Sequence, residues 1–156
     1  MERLRSDLAG AIYGQILATS VVVTLSEDEQ ASAGDLFFWL GVTMLVFWAA
    51  HVYADWLASQ VTTGAGLREL GPIGAEQWPI AQAAVPALFF LALGWAGACS
   101  RDTAVDLAIA AGVISLAGWG VVIARRSNAN ALVTVATVGI SAAFGLLLVG
   151  LKILVH

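Results

Sequence analysis

Five long apolar runs, each bounded by charge, proline or turn residues, set the pattern of the chain. They cover about Leu8–Leu25, Leu36–Leu57, Ile80–Cys99, Ala104–Ala124 and Ala131–Leu151. Each matches the roughly 20 residues a helix needs to cross about 30 Å of hydrocarbon. None alternates strictly as a barrel strand does, and all are too long for one. Helices satisfy every backbone group inside lipid. The expected fold is an all-α membrane protein, a bundle of five transmembrane helices forming one domain over residues 1–156.

The interruptions have local causes. Glu27-Asp28-Glu29 ends the first run, because consecutive acids do not enter hydrocarbon. Gly34-Asp35 opens the second with an acid near the positive end of a helix. Ser100-Arg101-Asp102 and Arg125–Asn130 read as tight hairpins, which make their flanking helices adjacent and antiparallel. Residues 58–79 are the one long connection. Within it Ser59–Gly66 reads as flexible and Leu67–Leu70 as one interfacial turn. Gly71-Pro72 reads as a break, and Gly74–Pro79 as a new helix start with Trp78 at headgroup level.

Orientation follows from the basic residues. Arg3, Arg5, Arg68, Arg125 and Arg126 fall on one side, and Arg101 and Lys152 on the other. The positive-inside rule then predicts a cytoplasmic N-terminus and an outside C-terminus. Arg3 and Arg5 before an apolar stretch resemble the start of a signal peptide. The stretch runs on to Leu25 without a clear cleavage site, so the first run is expected to stay as a span.

Composition narrows the function classes. Of 156 residues, 60% are hydrophobic and 12% charged, against about 45–50% and 25% in soluble domains. A water-soluble domain of this size cannot hide so much apolar surface. The net charge of −4 and the lack of a basic tract argue against nucleic acid. A lone Cys99 allows no internal disulfide. The expected partner is the lipid bilayer, with no cofactor.

Lipid gives no hydrophobic drive between helices, so small residues should mark contacts. Gly10-x-x-x-Gly14-x-x-x-Ala18, Gly94-x-x-x-Ala98 and Gly139-x-x-x-Ala143 are such stripes. Spacing alone leaves open whether they meet within one chain or between chains. Five spans make a thin bundle, so a homo-oligomer is expected.

Polar groups within the apolar runs are the candidate chemistry, because the bilayer makes them costly. At 1.5 Å of rise per residue, His51, Tyr13, Gln15 and Gln82 fall at similar depth towards the cytoplasmic side. His51 and Asp55 are four apart and share a helix face, as a proton acceptor and an orienting carboxylate would. Two ligands are too few for a metal, and none is expected. Pro86 lacks an N–H, so it should kink the third span and free the Gln82 carbonyl. This layer suggests a path for protons or monovalent cations. The alternatives are a histidine bonded to a neighbouring carbonyl, a kink satisfied by packing, and a protein whose helices serve assembly or partner binding. No nucleophile–base pair or complete metal set appears, so no catalytic residue is expected.

Ala11–Leu17, Phe47–Ala54, Trp78-Pro79-Ile80 and Leu151-Lys152 with His156 together resemble a group of small multi-pass membrane proteins of actinobacteria. That resemblance spans most of the chain and implies a plasma-membrane location. Over about a third of the chain, Arg3 with Ser6-Asp7, and Trp48 with His51, are similar to the first two helices of the lysosomal-type potassium channel family. Here Arg5 stands where that family's motif has phenylalanine, and five expected spans replace its six.

Overall fold

A computed structural model describes residues 2–64 and 66–126, together with the isolated positions 139 and 150. It contains α1 (Glu2–Ser26), α2 (Ala33–Thr63), a short 3₁₀ turn (Leu67–Glu69), α3 (Leu70–Gln82), α4 (Val85–Trp95) and α5 (Arg101–Arg126). Among the described residues, three stretches are long and apolar enough to cross a membrane: Ala9–Ser26, Ala33–Thr62 and Arg101–Trp119. The pair α3 and α4, bent by 56°, would make a fourth if it forms one broken span. The expected fifth span, 131–151, lies outside the described residues apart from Gly139 and Gly150, both helical and exposed.

Three expectations need correction. The first concerns Ser59–Gly66, expected to be flexible. α2 instead continues to Thr63 and stops at Gly64, whose φ of 70° is the left-handed conformation that closes a helix. The Ser59 and Thr62 hydroxyls donate to the Trp56 and Ala58 carbonyls behind them, at 2.7 and 3.1 Å. Hydroxyls bonded to their own helix no longer compete with it.

Second, Gly71-Pro72 does not break a helix. α3 starts at Leu70, so Pro72 lies in its first turn, where a missing N–H costs nothing. Third, the span expected over 80–99 is two helices. Pro86 stands in the first turn of α4, and the chain turns at Ala83-Ala84. The expected kink is there as a 56° bend: Ala83 and Ala84 keep right-handed helical angles, and Pro86, lacking an N–H, interrupts the hydrogen-bond ladder between the two helices.

α2 begins at Ser32, which caps it. The Ser32 hydroxyl accepts from the Asp35 N–H at 3.2 Å and donates to the Asp35 carboxylate at 2.7 Å. The same carboxylate accepts from the Ser32 N–H at 2.9 Å. This is a reciprocal capping box.

α1 packs on α3 and α5, α2 on α3 and α4, and α4 on α5. The core between them is built from Ala18, Val22, Leu36, Leu40, Ile80, Ala84, Leu91 and Ala108. The stripe on α1 is used inside the chain. A Cβ at Gly10 would sit 3.4 Å from Ile80 Cγ1, and one at Gly14 would overlap the Ile80 carbonyl oxygen. Gly94 is wedged between Ala104 and Ala33, whose Cβ atoms would lie 2.6 and 3.0 Å from an added Cβ.

Gly112 on α5 faces Thr19 on α1. An added Cβ would collide with Thr19 Oγ1 and lie 3.1 Å from its Cγ2. Gly112→Ala should therefore lower the melting temperature in detergent micelles. Thr19→Ala alone should change it little, because the hydroxyl only bonds its own helix, to the Gln15 carbonyl at 2.8 Å. The double variant should recover more than half of the loss. Equal losses in the single Gly112→Ala and the double variant would show that the two residues do not compete for this space.

Candidate functional site

The polar residues expected to form one layer fall into separate groups. Tyr13 on α1 meets His51 on α2, with ring centroids 5.4 Å apart and planes tilted by 52°. His51 is half-buried, and its Nδ1 lies 2.9 Å from the Phe47 carbonyl of its own helix. Asp55 does not pair with His51 among the described contacts. The Gln77 amide of α3 donates to the Asp55 carboxylate instead, and Asp55 itself is exposed. The i, i+4 spacing brings His51 and Asp55 onto one face, but a donor on the next helix takes the carboxylate.

Gln15 is turned away from this group. It follows Tyr13 by two residues, and two residues rotate a helix by about 200°. Gln15 is buried, at 2% exposure, and its Nε2 has no hydrogen-bond partner. Thr19, one turn further, packs on Gly112 of α5, so this face of α1 looks towards α5. Gln82 is exposed at the end of α3. It lies two residues beyond Ile80, which packs on α1. The same rotation turns Gln82 away from α1 and hence from Gln15.

Trp48 carries a contact that sequence alone does not show. Its Nε1 donates to the Gly74 carbonyl at 2.9 Å, and its ring meets Trp78 edge-on at a centroid distance of 5.7 Å. Gly74 allows the approach, since an added Cβ would lie 3.3 Å from the indole. With Val52, Leu70, Gly71 and Ala75 these residues line an open groove of about 600 Å³. Trp56 likewise donates to the Gly66 carbonyl at 3.3 Å. Indoles that bridge apolar surface and a backbone acceptor suit a membrane interface.

At the opposite end of α2, Arg101 binds the connection between α1 and α2. Its guanidinium donates to the carbonyls of Ser26 (3.0 Å), Asp28 (2.7 Å) and Ala31 (2.7 Å), and to the Asp102 carboxylate (3.1 Å). Only the hairpin position of this residue is legible in the sequence. Its carbonyl partners lie 70 to 75 residues away, and backbone acceptors leave no pattern in side-chain types.

Among the described residues, no three His, Cys, Asp or Glu side chains gather where they could hold a metal ion. What fold and site define together is a class, a helical membrane protein with at least three helices able to span a bilayer. No family model, curated protein or solved structure matches the chain.

Proposed function

We propose that this is a multi-pass protein of the plasma membrane, N-terminus inside, whose helices serve assembly or partner binding rather than ion passage. The observation that carries this reading is the dispersal of the polar residues. Tyr13 and Gln15 are on opposite sides of α1, Gln82 is exposed, and Asp55 is held by Gln77. Leu36, Leu40, Ile80 and Leu91 are buried together in the core between the helices, which supports a packed interior. Large apolar side chains line the outside instead, among them Phe38, Trp39, Val46, Phe89 and Ile114. Such a surface suits lipid, a second copy or another membrane helix.

A second reading, movement of protons or monovalent cations, is favoured by two observations. The Tyr13–His51 contact places a titratable ring between two helices, and Gln15 keeps an unpartnered amide in the interior. Reconstitution into liposomes separates the two. The assembly reading expects no proton or potassium flux above empty vesicles, and co-purification of two differently tagged copies. Flux in the wild type that falls in His51→Ala and Gln82→Leu would establish the transport reading instead. Flux that survives both substitutions would retain transport but remove these residues from the path.

A further inference from the structure

α3 is held in two different ways along its length. From Pro79 onwards it is packed on α1. A Cβ added at Gly10 would meet Ile80 and Pro79, and one at Gly14 would overlap the Ile80 carbonyl oxygen and lie 3.0 Å from the Ala83 Cβ. Before Pro79 the chain lies open. Gly74 is the one buried residue within 66–78, and Leu67, Gly71, Ala75 and Trp78 are exposed.

What fixes this open stretch is a set of polar contacts from α2. Trp48 Nε1 donates to the Gly74 carbonyl at 2.9 Å, and Trp56 Nε1 donates to the Gly66 carbonyl at 3.3 Å. Between them the Asp55 carboxylate accepts from the Gln77 amide. The edge-on contact of Trp48 with Trp78 adds a ring pair at 5.7 Å. Lipid gives little drive to bury apolar surface, so these hydrogen bonds weigh more than they would in water.

The backbone is jointed at both ends of the same stretch. Pro79 lies inside α3 and has no N–H, so the Ala75 carbonyl loses its helical donor. A proline within a helix is a common point of bending. At the other end α2 closes on Gly64 in the left-handed conformation, and Gly66 is extended. Glycine leaves the chain freer there than any other residue.

We propose that residues 66–78 form a strap that swings away from α2 as a unit, turning about Pro79, with the Trp48–Gly74 hydrogen bond as its latch. Local opening takes less free energy than global unfolding where few buried apolar contacts are lost. Opening uncovers Trp48 and Val52 of α2, against which Gly74 sits, and frees the Asp55 carboxylate. The α1–α3 contact at Gly14 stays closed. The device requires neither assembly nor ion passage, so it stands apart from both readings of the function.

Pulsed electron paramagnetic resonance on the full chain in nanodiscs tests it, with Cys99→Ser to remove the native thiol. One label pair joins Gly71→Cys, where an added Cβ meets nothing within 4 Å, to Leu45→Cys on the exposed face of α2. A second pair joins Gln82→Cys, in the packed half, to the same position. Trp48→Phe keeps a ring and removes the donor. It should add a second, longer distance to the Gly71 pair and leave the Gln82 pair unchanged. Pro79→Ala in that background should reduce the longer population, because the helical ladder is restored. A Gly71 distance that Trp48→Phe leaves unchanged would overturn the proposal. So would an equal change in both pairs, which means that all of α3 loosens, or a longer population that persists in Pro79→Ala. Gln77→Leu, which removes the bond to Asp55, is read by the same outcomes where Trp48→Phe does not fold.

Discussion

Gly14→Ala, the addition of a single methyl group, should be among the most damaging small substitutions in this protein. The new Cβ would overlap the Ile80 carbonyl oxygen, lie 2.9 Å from the Ile80 Cα and 3.0 Å from the Ala83 Cβ. Two of those three neighbours are backbone atoms, which cannot swing aside as the tip of a long side chain can. The helices must separate, and separation opens gaps around buried Ala18, Ile80 and Ala84. Overpacking costs about 1–3 kcal/mol, and the rigid neighbours put this case at the upper end. Gly41 is the matched control. It lies within α2 with nothing within 4 Å of an added Cβ. Gly41→Ala should be neutral or slightly stabilising, since alanine is favoured over glycine within a helix by about 1 kcal/mol. Melting temperatures in micelles should therefore fall for Gly14→Ala and hold or rise for Gly41→Ala. Equal behaviour would show that α1 and α3 do not approach as closely as described.

Those two glycines show how much of the fold the sequence carries. The Gly10-x-x-x-Gly14-x-x-x-Ala18 spacing marks a contact face in advance, and the structure uses it inside the chain against α3. The acidic run Glu27–Glu29 likewise marks the end of α1 and Ser100-Arg101 the start of α5, because charge near hydrocarbon is expensive whatever surrounds it. Other boundaries depend on competition between partners. Ser59 and Thr62 look like loop residues, yet they lie within α2, their hydroxyls bonded to its own carbonyls. Pro86 announces a kink, but its neighbours decide whether the helix bends or stops.

The candidate site was less legible for a related reason. Depth along each helix puts Tyr13, Gln15, His51 and Gln82 near one level, and depth says nothing about direction. The 100° turn per residue was available in the sequence and separates Tyr13 from Gln15. The pairing of Asp55 was not available, because Gln77 reaches it from another helix after folding. Spacing on one helix identifies residues able to meet, and the neighbouring helix decides which of them do.

Arg101→Ala should unfasten the end of the bundle where the α1–α2 and α4–α5 connections meet. α1 ends at Ser26, and the last carbonyls of a helix have no N–H partner within it. Arg101 supplies donors to the carbonyls of Ser26, Asp28 and Ala31 from one planar guanidinium, with its side chain 24% exposed. A charged hydrogen bond adds about 1.5–3 kcal/mol, but three sharing one partly solvated cation do not sum. A loss of about 2–4 kcal/mol is expected for alanine on that basis. Lysine keeps the charge and loses the fork, so Arg101→Lys should recover less than half of the loss. Asp102→Asn should change little, because the Asp102 side chain is 83% exposed and such pairs contribute weakly. The distinguishing readout is local. Proteolytic nicking between Glu27 and Ser32 should quicken in Arg101→Ala before global unfolding does, since those residues lose their tether while Ser32 still caps α2. If Arg101→Lys matches the wild type in both measurements, charge alone holds this end together and the three-carbonyl fork is incidental.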